Sequence, residues 1–215
     1  MKPKVIILDF DGTLGDTQSL IIESLQNTIK AMNLPARSEE ACAATIGLSL
    51  CDAFMSMYGF NEEEGEKCAA KYRELFDEVN VPGRVKLFPH VADTLSILHA
   101  KGYLLTIASS RHSQTLIQYA NDLKIAPYLS YIISAAEVKN AKPDPEMVLR
   151  TLEHLNLKPE EALVVGDATF DIQMAHNAKV KAVGVTYGNG KRKEMEECGA
   201  EWIIDDFSQL LSIVE

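Results

Sequence analysis

Residues 4–16 read KVIILDFDGTLGD, and the fold turns on this stretch. Four aliphatics, Val5, Ile6, Ile7 and Leu8, run straight into Asp9 and, past Phe10, Asp11; Gly12 and Thr13 follow. An unbroken apolar run of this length predicts a parallel strand buried on both faces. Carboxylates are seldom buried without a compensating partner. Two of them at the C-terminal tip of a core strand therefore call for a cation, a shared proton, or both. Two positions apart in extended geometry, Asp9 and Asp11 are expected to point the same way. Gly12 allows a tight turn and brings backbone N–H groups close to whatever lies between the carboxylates, a metal with an anion being the natural occupant. The plainer alternative is a solvated polar turn.

The chain has 215 residues, the size of one large domain or of one domain with an insertion. A hydrophobic share of 47% is ample for a core,. The net charge of −10 argues against nucleic acid or an anionic membrane as partner. A small anionic substrate stays compatible, because a divalent cation can set the local field. Cys42, Cys51, Cys68 and Cys198 are scattered without metal-ligand spacing, so neither a zinc site nor a disulfide framework is expected. Met1, Lys2 and Pro3 lead directly into the first strand with no leader pattern, and no apolar stretch reaches the length of a membrane span,. The expected location is the cytoplasm. Oligomeric state is not legible.

Strand patterns at residues 5–10, 104–109, 131–134, 163–166, 182–186 and 202–204 alternate with helical patterns at 90–101, 113–123, 145–155, 170–177, 191–198 and 208–214. This rhythm predicts an α/β fold with a doubly wound, mainly parallel, Rossmann-like sheet. From residue 16 to about 84 only helical patterns occur, at 19–32, 39–45, 50–57 and 62–79. The first places Leu20, Ile21, Ser24, Leu25, Thr28, Ile29 and Met32 on one face,. Residues 16–85 are thus expected to form an all-helical insert in a core made of 1–15 and 86–215. It leaves from the tip of the first strand, where a lid would be attached.

Ligands of open parallel sheets bind beyond the carboxyl ends of the strands. Ser109 and Ser110 follow the second strand pattern; they can donate to an anion or simply cap a turn,. Lys142 stands before Pro143 and ahead of Pro145, which keeps it in an extended segment at a helix start. A solvated lysine is the plainer alternative. Asp167 follows Gly166 at another strand tip, with Asp171 four residues on. The carboxylates suit Mg²⁺ better than zinc, and the lysine and hydroxyl suit a phosphate.

Together these residues resemble the haloacid dehalogenase superfamily, most of whose members are phosphohydrolases. The motifs appear in order: DFDGTL at 9–14, the hydroxyl of Ser109, the lysine of AKPDPE at Lys142, and GDATFD ending in Asp171. The helical insert resembles the cap of the subgroup that contains phosphoglycolate phosphatases and β-phosphoglucomutase. The resemblance implies Asp9 as nucleophile, forming an aspartyl-phosphate, and Asp11 as general acid and base. Gly12, Ser109, Ser110 and Lys142 would hold the phosphate. Asp9, the Asp11 backbone carbonyl and Asp167 would hold Mg²⁺, with Asp171 in support. Gly47, Leu48 and Ser49 in the cap loop would meet the leaving group; an ordinary interhelical turn is the alternative. A dehalogenase lacks the second aspartate. The mutases have an arginine soon after the cap-loop glycine, and here Leu48, Ser49 and Leu50 follow Gly47. A phospho-receiver domain has no such insert. The expected substrate is a small phosphorylated metabolite; phosphoglycolate, sugar phosphates, nucleoside monophosphates and pyrophosphate all remain open at this point.

Overall fold

The computed structural model describes residues 2–215. Its strands are β1 (Val5–Leu8), β2 (Gly15–Asp16), β3 (Lys86–Leu87), β4 (Leu104–Ser109), β5 (Leu129–Ser134), β6 (Ala162–Gly166), β7 (Lys181–Val185) and β8 (Trp202–Ile204). Six of them form one parallel sheet in the order β5-β4-β1-β6-β7-β8. The helices are α1 (Gln18–Ala31), α2 (Glu39–Ala43), α3 (Leu50–Tyr58), α4 (Glu62–Val79), α5 (Val91–Ala100), α6 (Ser113–Asp122), α7 (Glu146–Leu155), α8 (Thr169–Asn177), α9 (Arg192–Glu197) and α10 (Leu210–Val214).

The sheet is doubly wound because alternate residues of each strand face opposite layers. Ile6 and Leu8 of β1 join a core with Leu95 of α5, Leu116 of α6 and Leu210 of α10. Val5 and Ile7 join another with Met147 and Val148 of α7 and Ile172 of α8. Both faces of β1 are therefore covered, which is why its four residues are all aliphatic,. No helix among the described residues is long and apolar enough to cross a membrane.

Helices α1 to α4 lie between β2 and β3, which pair antiparallel with Gly15 opposite Leu87 and Asp16 opposite Lys86. The two connectors of the helical insert thus form a ribbon beside the tip of β1. Two-residue strands carry no periodicity, and neither was expected from the sequence. Helix α1 buries Leu20, Ile21, Ser24, Leu25, Thr28 and Ile29. Ser24 and Thr28 satisfy their hydroxyls on the carbonyls of Leu20 and Ser24 one turn back, so both fit an apolar face. Helix α3 ends on Gly59 in the left-handed region at φ 69°, and α4 opens with a reciprocal cap between Asn61 and Glu64,.

One expectation fails at the decisive stretch. Strand β1 stops at Leu8 rather than residue 10. The Phe10 carbonyl accepts from the N–H groups of Thr13, Leu14 and Gly15, and this turn ends the extended geometry that would have aligned Asp9 with Asp11.

Candidate active site

Strand β1 is central, with Leu8 in register with Ile107 of β4 and Val165 of β6. The residues after Leu8 therefore emerge between the tips carrying Ser109 and Asp167. Asp9, Asp11, Ser109, Lys142, Asp167 and Asp171 are all buried, which rules out a solvated turn for Asp9 and Asp11 and a solvated lysine for Lys142.

Lys142 Nζ donates to Asp9 Oδ1 at 2.5 Å and to Asp171 Oδ1 at 2.7 Å. Pro145 caps α7 just beyond it, and the Lys142–Pro143 peptide is cis. The other Asp171 oxygen accepts from the Ala168 N–H at 3.1 Å. Gly166 makes room for this: a Cβ there would lie 2.2 Å from Asp171 Cγ. Asp167 accepts from the Thr13 hydroxyl at 3.3 Å and from two N–H groups of Asn189. Each of Asp9, Asp167 and Asp171 brings a carboxylate oxygen within 4.8 Å of the others.

Three carboxylates thus face one ammonium. Burial pushes Asp9 well above the usual carboxylate range, outweighing the pull of Lys142, with Asp171, Asp167 and Asp11 adding repulsion. Burial and Asp171 raise Asp167 to about 7, against the hydrogen bonds from Asn189. Burial disfavours the Lys142 ammonium too, but Asp171 and Asp9 overcome it and raise its pKa. Such a cluster takes up protons or a cation.

The Asp11 side chain goes elsewhere. Its Oδ1 accepts from Thr17 Oγ1 at 2.7 Å and from Arg111 Nη2 at 2.7 Å. Arg111 Nε lies 3.1 Å from Oδ1 and 3.0 Å from Oδ2. The Asp9 and Asp11 side chains therefore make separate contacts here, contrary to the common direction read from residue spacing. Ser109 and Ser110 also part. The Ser109 oxygen accepts from the Arg111 N–H at 3.2 Å, leaving its O–H available to an anion. Ser110, expected to bind phosphate, instead donates its hydroxyl to the Gly47 carbonyl at 2.7 Å and ties the insert to the core. Adjacent residues leaving a strand tip project in different directions, which separates the two hydroxyls.

A cavity of about 700 Å³ lies between these strand tips and the insert, with Asp9, Asp11, Ser109, Arg111, Gly47 and Leu48 among its walls. Gly47 has φ 102°, and a Cβ on it would approach Ala168 and Phe170 to 3.3 and 3.4 Å, so the insert loop sits on the loop after β6. Ser49 also lines the cavity, but its hydroxyl is engaged as the cap of α3, accepting from the Asp52 N–H and donating to its carboxylate.

The sequence matches the model of the haloacid dehalogenase-like hydrolases over residues 6–185. The chain belongs to that family. It is 33% identical over 229 residues to a phosphoglycolate phosphatase of Salmonella typhimurium, covering 96% of this chain and 90% of that one. It is 31% identical over 214 residues to the pyrophosphatase PpaX of Anoxybacillus flavithermus, covering 100% and 98%. A solved structure from Bacteroides fragilis, described as a haloacid dehalogenase-like hydrolase, superposes with a TM-score of 0.92 at 27% identity, covering 97% and 100%. This haloacid dehalogenase-like hydrolase is a phosphatase, of the phosphoric monoester hydrolase class.

The metal such phosphatases use fits the residues present. All the donors are hard oxygens, and with its three carboxylates ionised the cluster would carry two negative charges beyond what Lys142 balances, the deficit that one divalent cation fills. Beside it, Asn189 Oδ1 is buried without a protein partner among the described residues, an acceptor suited to a water on that cation. In this hydrolase Arg111 and Asn189 are the site residues that sequence reasoning missed. Arg111 directly follows the Ser109–Ser110 tip, and a cation there was a usable signal. Asn189, between Gly188 and Gly190 after the apolar run of β7, marks a further strand tip that was passed over.

Proposed function

We propose that the protein is a Mg²⁺-dependent phosphatase of a small phosphorylated metabolite, acting through an aspartyl-phosphate on Asp9. The observation that carries this reading is the buried cluster of Asp9, Asp167 and Asp171 around Lys142, opening on a cavity beside Ser109. Asp9 and Asp167, with the Asp11 backbone carbonyl, would hold the cation, and Asp171 positions Lys142. Bound there, Mg²⁺ would neutralise charge on the phosphoryl oxygens.

An Asp9 carboxylate oxygen attacks phosphorus while the ester P–O bond breaks. The Asp11 carboxyl gives its proton to the leaving oxygen, which departs as an alcohol. Water then attacks the aspartyl-phosphate, the Asp11 carboxylate takes its proton, and inorganic phosphate leaves Asp9 free again. Ser109, Lys142 and the N–H groups at the Gly12 turn hold phosphoryl oxygens and keep the reacting atoms in line. Residues 16–85 act as a cap over the core of 1–15 and 86–215, excluding water and meeting the leaving group through the loop at Gly47 and Leu48, which Ser49 shapes as the cap of α3,. That loop offers no arginine for a sugar bisphosphate, which favours hydrolysis over a mutase reaction. Four free cysteines, two of them buried, suit the reducing cytoplasm.

The test is Asp9→Asn, assayed with Mg²⁺ on an aryl phosphate and on a panel of phosphorylated metabolites. Turnover is expected to be abolished with the thermal transition retained. Near-normal turnover by the variant would remove the covalent mechanism.

A further inference from the structure

Arg111 stands at the seam between the catalytic strand tips and the helical insert. Its guanidinium is held between Phe76 of α4, 5.4 Å away, and Tyr119 of α6, 5.2 Å away. Its side chain is 8% exposed. Among the described residues Arg111 is the one cation so enclosed on the cavity wall; Arg73, His112 and Lys139 are exposed. Nε and Nη2 grip Asp11. Nη1 has no acceptor among the described residues and is not among the buried atoms lacking one, so it opens on the cavity.

We propose that Arg111 is the receptor for a second anionic group, a carboxylate or a phosphate, carried by the substrate's leaving group. Asp11 occupies the receptor until that anion takes its place. The proposal rests on the phosphatase reading and names the substrate class within it.

The site already shows what it fits. A planar carboxylate lies in the fork of Nε and Nη2, the geometry in which guanidinium recognises carboxylate and phosphate. While held there, both Asp11 oxygens are committed, to Arg111 and Thr17. Asp11 cannot then serve a leaving oxygen on a phosphoryl group at Asp9. Pulling Asp11 away with nothing in exchange would strand a nearly buried guanidinium, which is strongly unfavourable. An incoming anion removes that penalty, so exchange at Arg111 releases Asp11 only for a leaving group that carries charge. The outer cavity wall limits its size. Asp52, Glu62, Glu66 and Asp77 outnumber Arg73 on the insert side, where Arg73 pairs with Glu66, and this net negative wall disfavours an anion held far from the phosphoryl group. The second charge must lie close to the first, as it does in phosphoglycolate and in pyrophosphate.

The test compares kcat and KM for 2-phosphoglycolate, pyrophosphate and ethyl phosphate, whose leaving group is neutral and of similar size. Wild type should favour at least one anionic compound over ethyl phosphate by roughly a hundredfold in kcat/KM; which one identifies a carboxylate or a phosphate as the occupant. Arg111→Met should collapse that ratio, lowering the anionic rate while raising the rate on ethyl phosphate, because Asp11 is no longer held. Arg111→Lys should keep part of the ratio. A wild-type ratio near one overturns the proposal without any variant. So does an equal fall on all compounds in Arg111→Lys or Arg111→Met, which would make Arg111 only a support for Asp11. A wild type inactive toward every phosphate ester with Mg²⁺ would overturn the phosphatase reading itself.

Discussion

Asn189 gives two N–H groups to one oxygen of Asp167, its backbone N at 2.6 Å and its Nδ2 at 2.8 Å from Oδ2. The loop is pressed onto the site to do so. A Cβ on Gly188 would lie 2.2 Å from the Gly12 carbonyl oxygen, and one on Gly190 would lie 1.9 Å from that of Asp167. Asn189 thereby fixes which Asp167 oxygen remains for a cation. Asn189→Ala keeps the backbone bond and loses the other. The Mg²⁺ concentration for half-maximal activity should rise by about 10- to 100-fold, with kcat at saturating Mg²⁺ changed far less. A Mg²⁺ titration superimposable on wild type would reduce this loop to a structural role.

The parts of the site that could be read from sequence share one property. Asp9, Ser109 and Asp167 each end an apolar run, and Lys142 is framed by prolines, so local pattern alone placed them at one edge of the sheet. Arg111 and Asp11 are a hundred positions apart, and their pairing depends on where β1 stops. That end is set by the Phe10 turn, not by hydrophobicity. Strands β2 and β3 were invisible for a related reason: each has two residues and exists only through pairing across the whole insert. The hydroxyl of Ser110 faces the insert while the oxygen of Ser109 turns to the Arg111 N–H, a distinction made by the direction of the chain after β4.

Protons and Mg²⁺ should compete for the carboxylate cluster, which fixes the sign of a pH effect. In the metal-free protein Asp167 titrates near 7, above its ordinary 3.8, because burial and Asp171 disfavour its charge, and Asp9 is raised as well. The folded state then binds more protons than the unfolded state between about pH 4 and 7, so stability falls as pH rises through that window. At about 1.4 kcal/mol per pH unit, the loss is on the order of a few kcal/mol. Urea denaturation in EDTA at pH 5, 6.5 and 8 should show the decline, and Mg²⁺ should stabilise most at pH 8. Asp167→Asn should flatten it. Metal-free stability that rises with pH would contradict the cluster's proton uptake.

Among the described residues Lys142 is the lone cation bonded to this cluster, touching both Asp9 and Asp171. Lys142→Met should lower kcat by roughly a hundred- to a thousandfold, the scale of losing one preorganised charge contact to a transition state. It also leaves three buried carboxylates with no ammonium among them. Mg²⁺ should therefore raise the melting temperature of Lys142→Met more than that of wild type. A smaller Mg²⁺ effect in the variant would show that Lys142 and the metal do not share the same carboxylates.

The insert loop should divide into a structural residue and a selective one. Ser49 caps α3, and losing a cap of this kind costs about 1 kcal/mol; its one O–H is already given to Asp52, so it has no donor left for an anionic substrate,. Leu48 lines the same cavity, half-buried, one residue from the Gly47 carbonyl that Ser110 holds. Ser49→Ala should lower the melting temperature by a few degrees and leave the ranking of metabolite phosphates as it is. Leu48→Arg places a further cation beside a cavity wall rich in carboxylates. It should change that ranking, while an unselective aryl phosphate stays within a few-fold of wild type. The readout is kcat/KM for both substrates in each variant. A parallel fall on both in Leu48→Arg would make the loop a hinge support, and a changed ranking in Ser49→Ala would mean that the α3 cap, through the shape it gives the loop, selects the leaving group.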